Sequence, residues 1–244
     1  MFRKILAGVY ERAHQAHLDK MVELIRRVPL PDPYVNGAVD LGTGDGLLAD
    51  RLEDHLGFRN CFLNRYDKHP RPQTKNENVT ECDFEVGIPL EDDSVDLVHA
   101  NDVLEHVANV DVFAKEVKRI LKPGCWALIG TENGSSWCNV FASAMGWQPF
   151  STACMSRVVL SLGNPLSIHR WREYDGAQPV PHRMIFHYRG LKEFWEAHGF
   201  EVWRIIGTGY FPLPWKLGRW DPRHAHMLVA VIRKPKEKDD APTC

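Results

Sequence analysis

Three glycines alternate with other residues directly after a short apolar run, in Val39-Asp40-Leu41-Gly42-Thr43-Gly44-Asp45-Gly46. Glycine lacks a Cβ and accepts positive φ, so such a turn lets a ligand lie against the backbone itself. A helix expected directly after this turn would point its positive end at that ligand. Two further acids, Asp67 and Asp83, stand downstream where hydrogen-bond acceptors could meet a polar ligand. The third glycine arrives one residue early for the G-x-G-x-x-G dinucleotide fingerprint. A nicotinamide-dependent oxidoreductase is therefore the weaker reading of this loop.

Hydrophobic periodicity supplies the elements that must hold these residues. Strands are expected over residues 37–41, 60–66, 78–82, 95–100, 125–130, 201–207 and 226–233, with helices over 47–56, 111–121 and 191–198. Pro123-Gly124 is read as the stop of the second of these helices. His69-Pro70-Arg71-Pro72 argues against a long helix after the second strand. The alternation implies a parallel sheet with right-handed crossovers, in which ligands bind outside the carboxyl ends of the strands. Asp40 to Gly46, Asp67, Asp83, Asn101 and Thr131-Glu132 all fall at such ends. Ahead of the sheet, apolar residues from Phe2 to Val28 recur at helical spacing, with a break around His14 to Lys20. One bent helix or two short ones would result, packed on the core or serving as a lid.

The remaining composition narrows the class. A chain of 244 residues fits one α/β domain with an insertion, or two small domains. A net charge of −2 gives no general attraction to nucleic acid or anionic membrane. Lys216, Arg219, Arg223 and Arg204 read as a solvated surface, and no nucleic acid partner is expected. The six cysteines show no zinc-ligand spacing, so no metal is expected and the chain reads as reduced and cytoplasmic. No apolar run approaches transmembrane length, and the apolar stretch after Arg3-Lys4 is too short for a signal peptide.

Taken together, the motifs resemble the class I S-adenosylmethionine-dependent methyltransferases of the small-molecule, type 11-like kind. The resemblance rests on the glycine loop, Asp67, Cys82-Asp83-Phe84, the run from Pro89 to Val98, Asp102-Val103-Leu104-Glu105-His106-Val107 and Leu121-Lys122-Pro123-Gly124. It covers residues 35–132 and resumes at 189–233. It implies a Rossmann-like α/β fold: a seven-stranded, mostly parallel sheet with flanking helices and an insertion after strand 5. The domains would be a helical cap (1–34), a cofactor-binding core (35–133 and 183–233), a substrate-side insertion (134–182) and a disordered tail (234–244).

By the same resemblance the cofactor is S-adenosyl-L-methionine. Asp40, Leu41, Gly42, Thr43, Gly44 and Gly46 would meet its amino acid head and ribose, and Asp67 its ribose hydroxyls. Asp83 and Phe84 would meet the adenine, and Asn101 the methionine moiety. Asp40, Asp67 and Asp83 could instead cap turns or face water, and Phe84 could be core.

The acceptor would be a small molecule methylated on oxygen or nitrogen, such as a sugar, envelope or secondary-metabolite intermediate. Among twelve histidines, those beside the insertion (His169, His182 and His187) are best placed to take its proton, with His182 favoured. His106 and Glu132 are further candidates, though a histidine at a helix end is commonly packed and hydrogen-bonded. Trp137 and Trp147 could wall the acceptor site. A non-catalytic cofactor-binding regulator or partner subunit shares these cofactor residues, and a homodimer is left open.

Overall fold

The computed structural model describes residues 2–28, 37–44, 46–57, 63–67, 79–153, 155, 161–167, 181–210, 217 and 220–236. Helix α1 (Phe2–Arg27) leads into β1 (Ala38–Leu41), α2 (Leu47–Gly57), β2 (Leu63–Asp67), β3 (Val79–Glu81) and β4 (Val95–Asn101). Then come α3 (Val110–Ile120), β5 (Leu121–Glu132), α4 (Trp137–Ala144), α5 (Tyr188–Ala197), β6 (Glu201–Thr208) and β7 (Met227–Arg233). The seven strands form one sheet in the order β3-β2-β1-β4-β5-β7-β6. Only β7 runs against its neighbours β5 and β6. The expected Rossmann-like, mostly parallel seven-stranded architecture is therefore present.

Side chains alternate across the central strands, as the strand period of two requires. Val39, Leu41, Val98, Ala100, Ala127, Ile129 and Ala230 point to one face, where α3 (Phe113, Val117, Ile120) and α5 (Leu191, Trp195) cover them. Ala38, Leu97, Trp126, Leu128 and Val229 point to the other, under Met21, Leu24 and Ile25 of α1, Val28 just after it, and Ala49 and Leu52 of α2. Both faces are buried, which explains why these strands read as mostly apolar runs.

The structure decides between the two readings of the first helix and moves one strand boundary. The first helix is continuous through His14 to Lys20. Its apolar pattern breaks there because His17, fully buried, takes a core-facing position and satisfies its polarity through hydrogen bonds. Strand β5 begins at Leu121, before Pro123-Gly124, so α3 passes directly into the sheet. The register jumps from Val95–Leu121 to Leu97–Trp126, and Gly124 absorbs the excursion at φ +82°. Asp96, opposite the excursion, accepts from Lys122 Nζ at 2.9 Å and from the Gly37 N–H at 3.2 Å. The insertion also contains a helix, α4, and a 3-10 turn at Phe150–Thr152.

Cys82, Cys125 and Cys138 are buried free thiols. No helix among the described residues is long and apolar enough to cross a membrane. The second-strand prolines, His169 and most of the tail lie outside the described residues. Lys234, at the start of that tail, adds one more backbone bond, to the Cys125 carbonyl at 3.0 Å.

Among the described residues, Trp195 is the largest fully buried side chain, and it joins α5 to the sheet. Trp195→Ala is expected to cost about 3–5 kcal/mol, read as a lowered urea midpoint. An unchanged midpoint would show that α5 contributes nothing to the cooperative core.

Candidate active site

Parallel pairing sets β1 between β2 and β4, so Leu41, Tyr66 and Ala100 end abreast at the carboxyl edge. The glycine loop is fastened there from below. Gly42 and Thr43 N–H groups both donate to the Tyr66 carbonyl, at 2.7 and 3.2 Å, and the Gly44 N–H donates to Asp67 Oδ2 at 2.9 Å. At Gly42 (φ +79°) a Cβ would stand 2.2 Å from Val103 Cγ2, which no side chain could accept. At Gly44 (φ +58°) a Cβ would meet, among the described residues, only the Gly42 carbonyl, at 3.9 Å. The loop is thus closed underneath and open above.

Of the two downstream acids, Asp67 adjoins it. Cys82 N–H donates to the Asp67 carbonyl at 2.9 Å, which brings Asp83 beside Asp67 across the β2–β3 pair. Asp83 Oδ1 accepts from the Glu85 N–H at 3.1 Å, fixing the carboxylate in a short turn. Phe84 is buried and meets Phe113 edge-on, with ring centroids 6.1 Å apart.

Asp40 turns inward. It is 3% exposed, accepting from Thr43 Oγ1 at 2.6 Å on one oxygen and from His99 Nδ1 at 2.5 Å on the other. Its register partner on β4 is that same His99. Two residues on, Asn101 Oδ1 accepts from His17 Nε2 at 2.6 Å. Since an amide oxygen can only accept, Nε2 carries the proton, and Nδ1 accepts from Thr208 Oγ1 at 2.6 Å. Gly130 leaves room for this contact, because a Cβ there would fall 2.1 Å from Asn101 Oδ1. His17 therefore clamps α1 to β4 and β6 beside the loop. Burial lowers its pKa to about 3, so it stays neutral.

Beyond β4 and β5 lies a second polar group. His106 and His182 meet as a T-shaped pair with centroids 4.7 Å apart. His182 Nδ1 lies 3.9 Å from Glu132 Oε2 and donates to the Ser151 carbonyl at 2.5 Å. His106 Nδ1 donates to the Pro181 carbonyl at 3.3 Å. Carbonyls only accept, so Nδ1 carries a proton in both rings, and a lone pair, where the ring has one, sits on Nε2. Burial, followed by the neighbouring His182, lowers the His106 pKa to about 4. Burial raises that of Glu105 to about 7. Asp102, in the left-handed region at φ +54°, is also raised, by burial and then by the charges of Glu105 and Glu132.

The three candidates His106, Glu132 and His182 are thus brought together, and Asp102 and Glu105 join them. His187 packs against Gly134, where a Cβ would lie 2.5 Å from its ring. Trp137 is held aside, donating to Tyr210 Oη at 2.6 Å and stacking on His224 at 4.3 Å. Trp147 meets Phe141 edge-on at 5.9 Å. A separate cavity of about 590 Å³ between α1 and β6, lined by Lys20, Arg27, Trp203 and Arg204, contains none of the expected site residues.

His17 was missed in the sequence because a lone histidine in a helical pattern carries no motif. Its burial has a measurable sign. The unfolded chain protonates it near pH 6.5 and the folded chain only near 3, so stability falls as pH drops through that window. Relative to His17→Gln, the natural chain is expected to lose about 1.4 kcal/mol per pH unit there, measured by urea unfolding. Glu105 titrates in both proteins and cancels. Parallel pH profiles would contradict the buried neutral ring.

A family model described as a methyltransferase domain matches residues 12–205. A Mycolicibacterium smegmatis protein described as a probable S-adenosylmethionine-dependent methyltransferase is 26% identical over 202 residues. That match covers 78% of this chain, which spans 61% of the relative's length. A candidate S-adenosylmethionine-dependent methyltransferase from Listeria monocytogenes superposes with a TM-score of 0.55 at 17% identity, covering 94% of this chain and 100% of that one. A chain from the Haloferax volcanii complex of the Trm112 methyltransferase activator with a candidate methyltransferase gives 0.54 at 18% identity, covering 94% and 93%. These likenesses establish the fold, and the family model covers most of the chain. With its glycine loop fastened to Asp67 at the carboxyl edge of the sheet, the chain belongs to the methyltransferase domain family, on the class I S-adenosylmethionine-dependent fold.

Proposed function

We propose that this chain transfers a methyl group from S-adenosyl-L-methionine to an oxygen or nitrogen of a small-molecule acceptor. The observation that carries the reading is the meeting of two halves on one sheet edge. A glycine loop open above lies against Asp67, with Asp83 just past the neighbouring strand β3, and a histidine–carboxylate cluster follows the next two strands.

The residues fit the cofactor. The space above Gly44 admits a ligand against the backbone of Leu41 to Gly46. Asp67 would accept from ribose hydroxyls and Asp83 from the adenine amino group, with Phe84 beneath as apolar support. Asn101, oriented by His17, would line the methionine moiety. Asp40 shapes the loop through Thr43 and His99, so its part is to position rather than to receive the ammonium directly. When bound, the cofactor supplies an electrophilic methyl group on a sulfonium.

The chain's own task is then alignment, water exclusion and proton removal. His182 is the proton acceptor in this reading. Its Nδ1–H is tied to Ser151, which leaves Nε2 to take a proton from an acceptor hydroxyl or amine. Glu132, beside it, stabilises the resulting imidazolium. His106 packs against the same ring and stays neutral.

Calorimetric titration with S-adenosylhomocysteine, with NAD as control, should show micromolar binding of the first ligand only. Asp67→Ala and Asp83→Ala should each weaken it by about tenfold or more, the loss of a charged hydrogen bond or two. Binding of NAD instead would overturn the reading. Once an acceptor is found, His182→Gln is expected to lower kcat by about 10²–10⁴ with S-adenosylhomocysteine affinity unchanged. Tight binding with no turnover on any acceptor would point to a non-catalytic cofactor-binding subunit.

A further inference from the structure

We propose that Glu105, His106 and His182 bind one divalent transition-metal cation of the zinc, cobalt or manganese type. The inference rests on reading this cluster as the acceptor end of the site. Each of the three residues offers a ligand atom within 4.8 Å of the other two. Two metal–ligand bonds of about 2.1 Å reach across about 4.2 Å, so a small side-chain rotation closes the set.

The surroundings are those of a prepared site. Glu105 is 1% exposed. Its Oε2 accepts from Thr131 Oγ1 at 2.9 Å, whereas Oε1 is buried with no hydrogen-bond partner among the described residues. A buried carboxylate oxygen without a donor is unfavourable until something occupies it. Both imidazoles donate Nδ1–H to backbone carbonyls, of Pro181 and Ser151. Outer hydrogen bonds of this kind orient metal-binding histidines and fix their tautomer. The Arg183 N–H donates to the Glu105 carbonyl at 2.7 Å, so the backbone itself holds the His182 segment against the Glu105 turn.

Two nitrogens and one carboxylate suit zinc, iron, cobalt or manganese better than calcium or magnesium. Three protein ligands leave coordination positions open, as in catalytic rather than structural sites. An acceptor oxygen entering there would be held and made more acidic. In the metal-loaded protein His182 holds the ion, and Glu132 is the remaining adjacent base.

The test uses the full chain, stripped with a chelator and titrated with cobalt chloride. Visible d–d absorption reports occupancy, and S-adenosylhomocysteine calorimetry on the same preparation reports the folded cofactor site. One equivalent of cobalt, displaced by zinc, is expected. His106→Ala, His182→Ala and the shape-conserving Glu105→Gln should each weaken cobalt binding by at least about tenfold. Absence of the bands at millimolar cobalt, or equal affinity in His106→Ala and His182→Ala proteins that still bind S-adenosylhomocysteine, would overturn the cation site. Nucleoside binding without cobalt removes the cation and leaves the methyltransferase reading. Cobalt binding without the nucleoside does the reverse.

Discussion

A carboxylate enclosed within a sheet has to be met by donors, and Asp40 is met from two sides. Parallel pairing places it abreast of His99, so the imidazole on β4 reaches it without bending either strand. Its other oxygen takes the Thr43 hydroxyl and thereby sets how the glycine loop leaves β1. From that departure the rest follows in order. Gly42 passes under Val103, Gly44 reaches Asp67, and Asp67 carries Asp83 beside it through the Cys82 bond. Removing His99 alone would leave a buried carboxylate short of a donor.

The second half of the site depends on the insertion rather than on the sheet alone. Asn133 Nδ2 donates to the Arg223 and Ala225 carbonyls, pinning the end of β5 to the turn before β7. Asn139 on α4 donates to the Asn133 carbonyl at 2.9 Å and to Ser151 Oγ at 2.7 Å, and accepts from the Ser151 N–H at 3.2 Å. Ser151, placed in this way, offers the carbonyl that orients His182. Two buried asparagines thus transmit the position of the sheet edge to an imidazole forty-odd residues away in sequence.

The sheet was legible in the sequence because its central strands are buried on both faces and read as apolar runs between turn residues. The glycine loop, Asp67 and Asp83 were legible because their spacing belongs to a recognisable motif. Other features obey no local rule. His17 looked like a break in α1 because its polarity is satisfied by Thr208 and Asn101, which are distant in sequence. Pro123-Gly124 looked like a helix stop, yet a register jump opposite Asp96 carries it inside β5. Helix α4 was hidden because Trp137, Val140 and Phe141 are exposed while only the small Cys138 and Ala142, with the polar Asn139, turn inward, so no strong apolar stripe marks it. The meeting of Glu105 and His106 with His182 depends on a backbone bond across the fold, which spacing cannot reveal.

The position of β7 has a consequence for how the chain comes together. The last described strand lies between β5 and β6, pairing with both. During synthesis β5 therefore emerges long before the neighbour that completes it, and β6 has no partner at all until residues 227–233 appear. The glycine loop and its carboxylates can assemble early from contacts close in sequence. The flank carrying His226 and the turn that anchors Asn133 must wait until residues 223–233 have emerged. A ribosome-bound chain stopped before residue 227 would present an unpaired apolar edge, the kind of surface that chaperones hold and that aggregates when unattended.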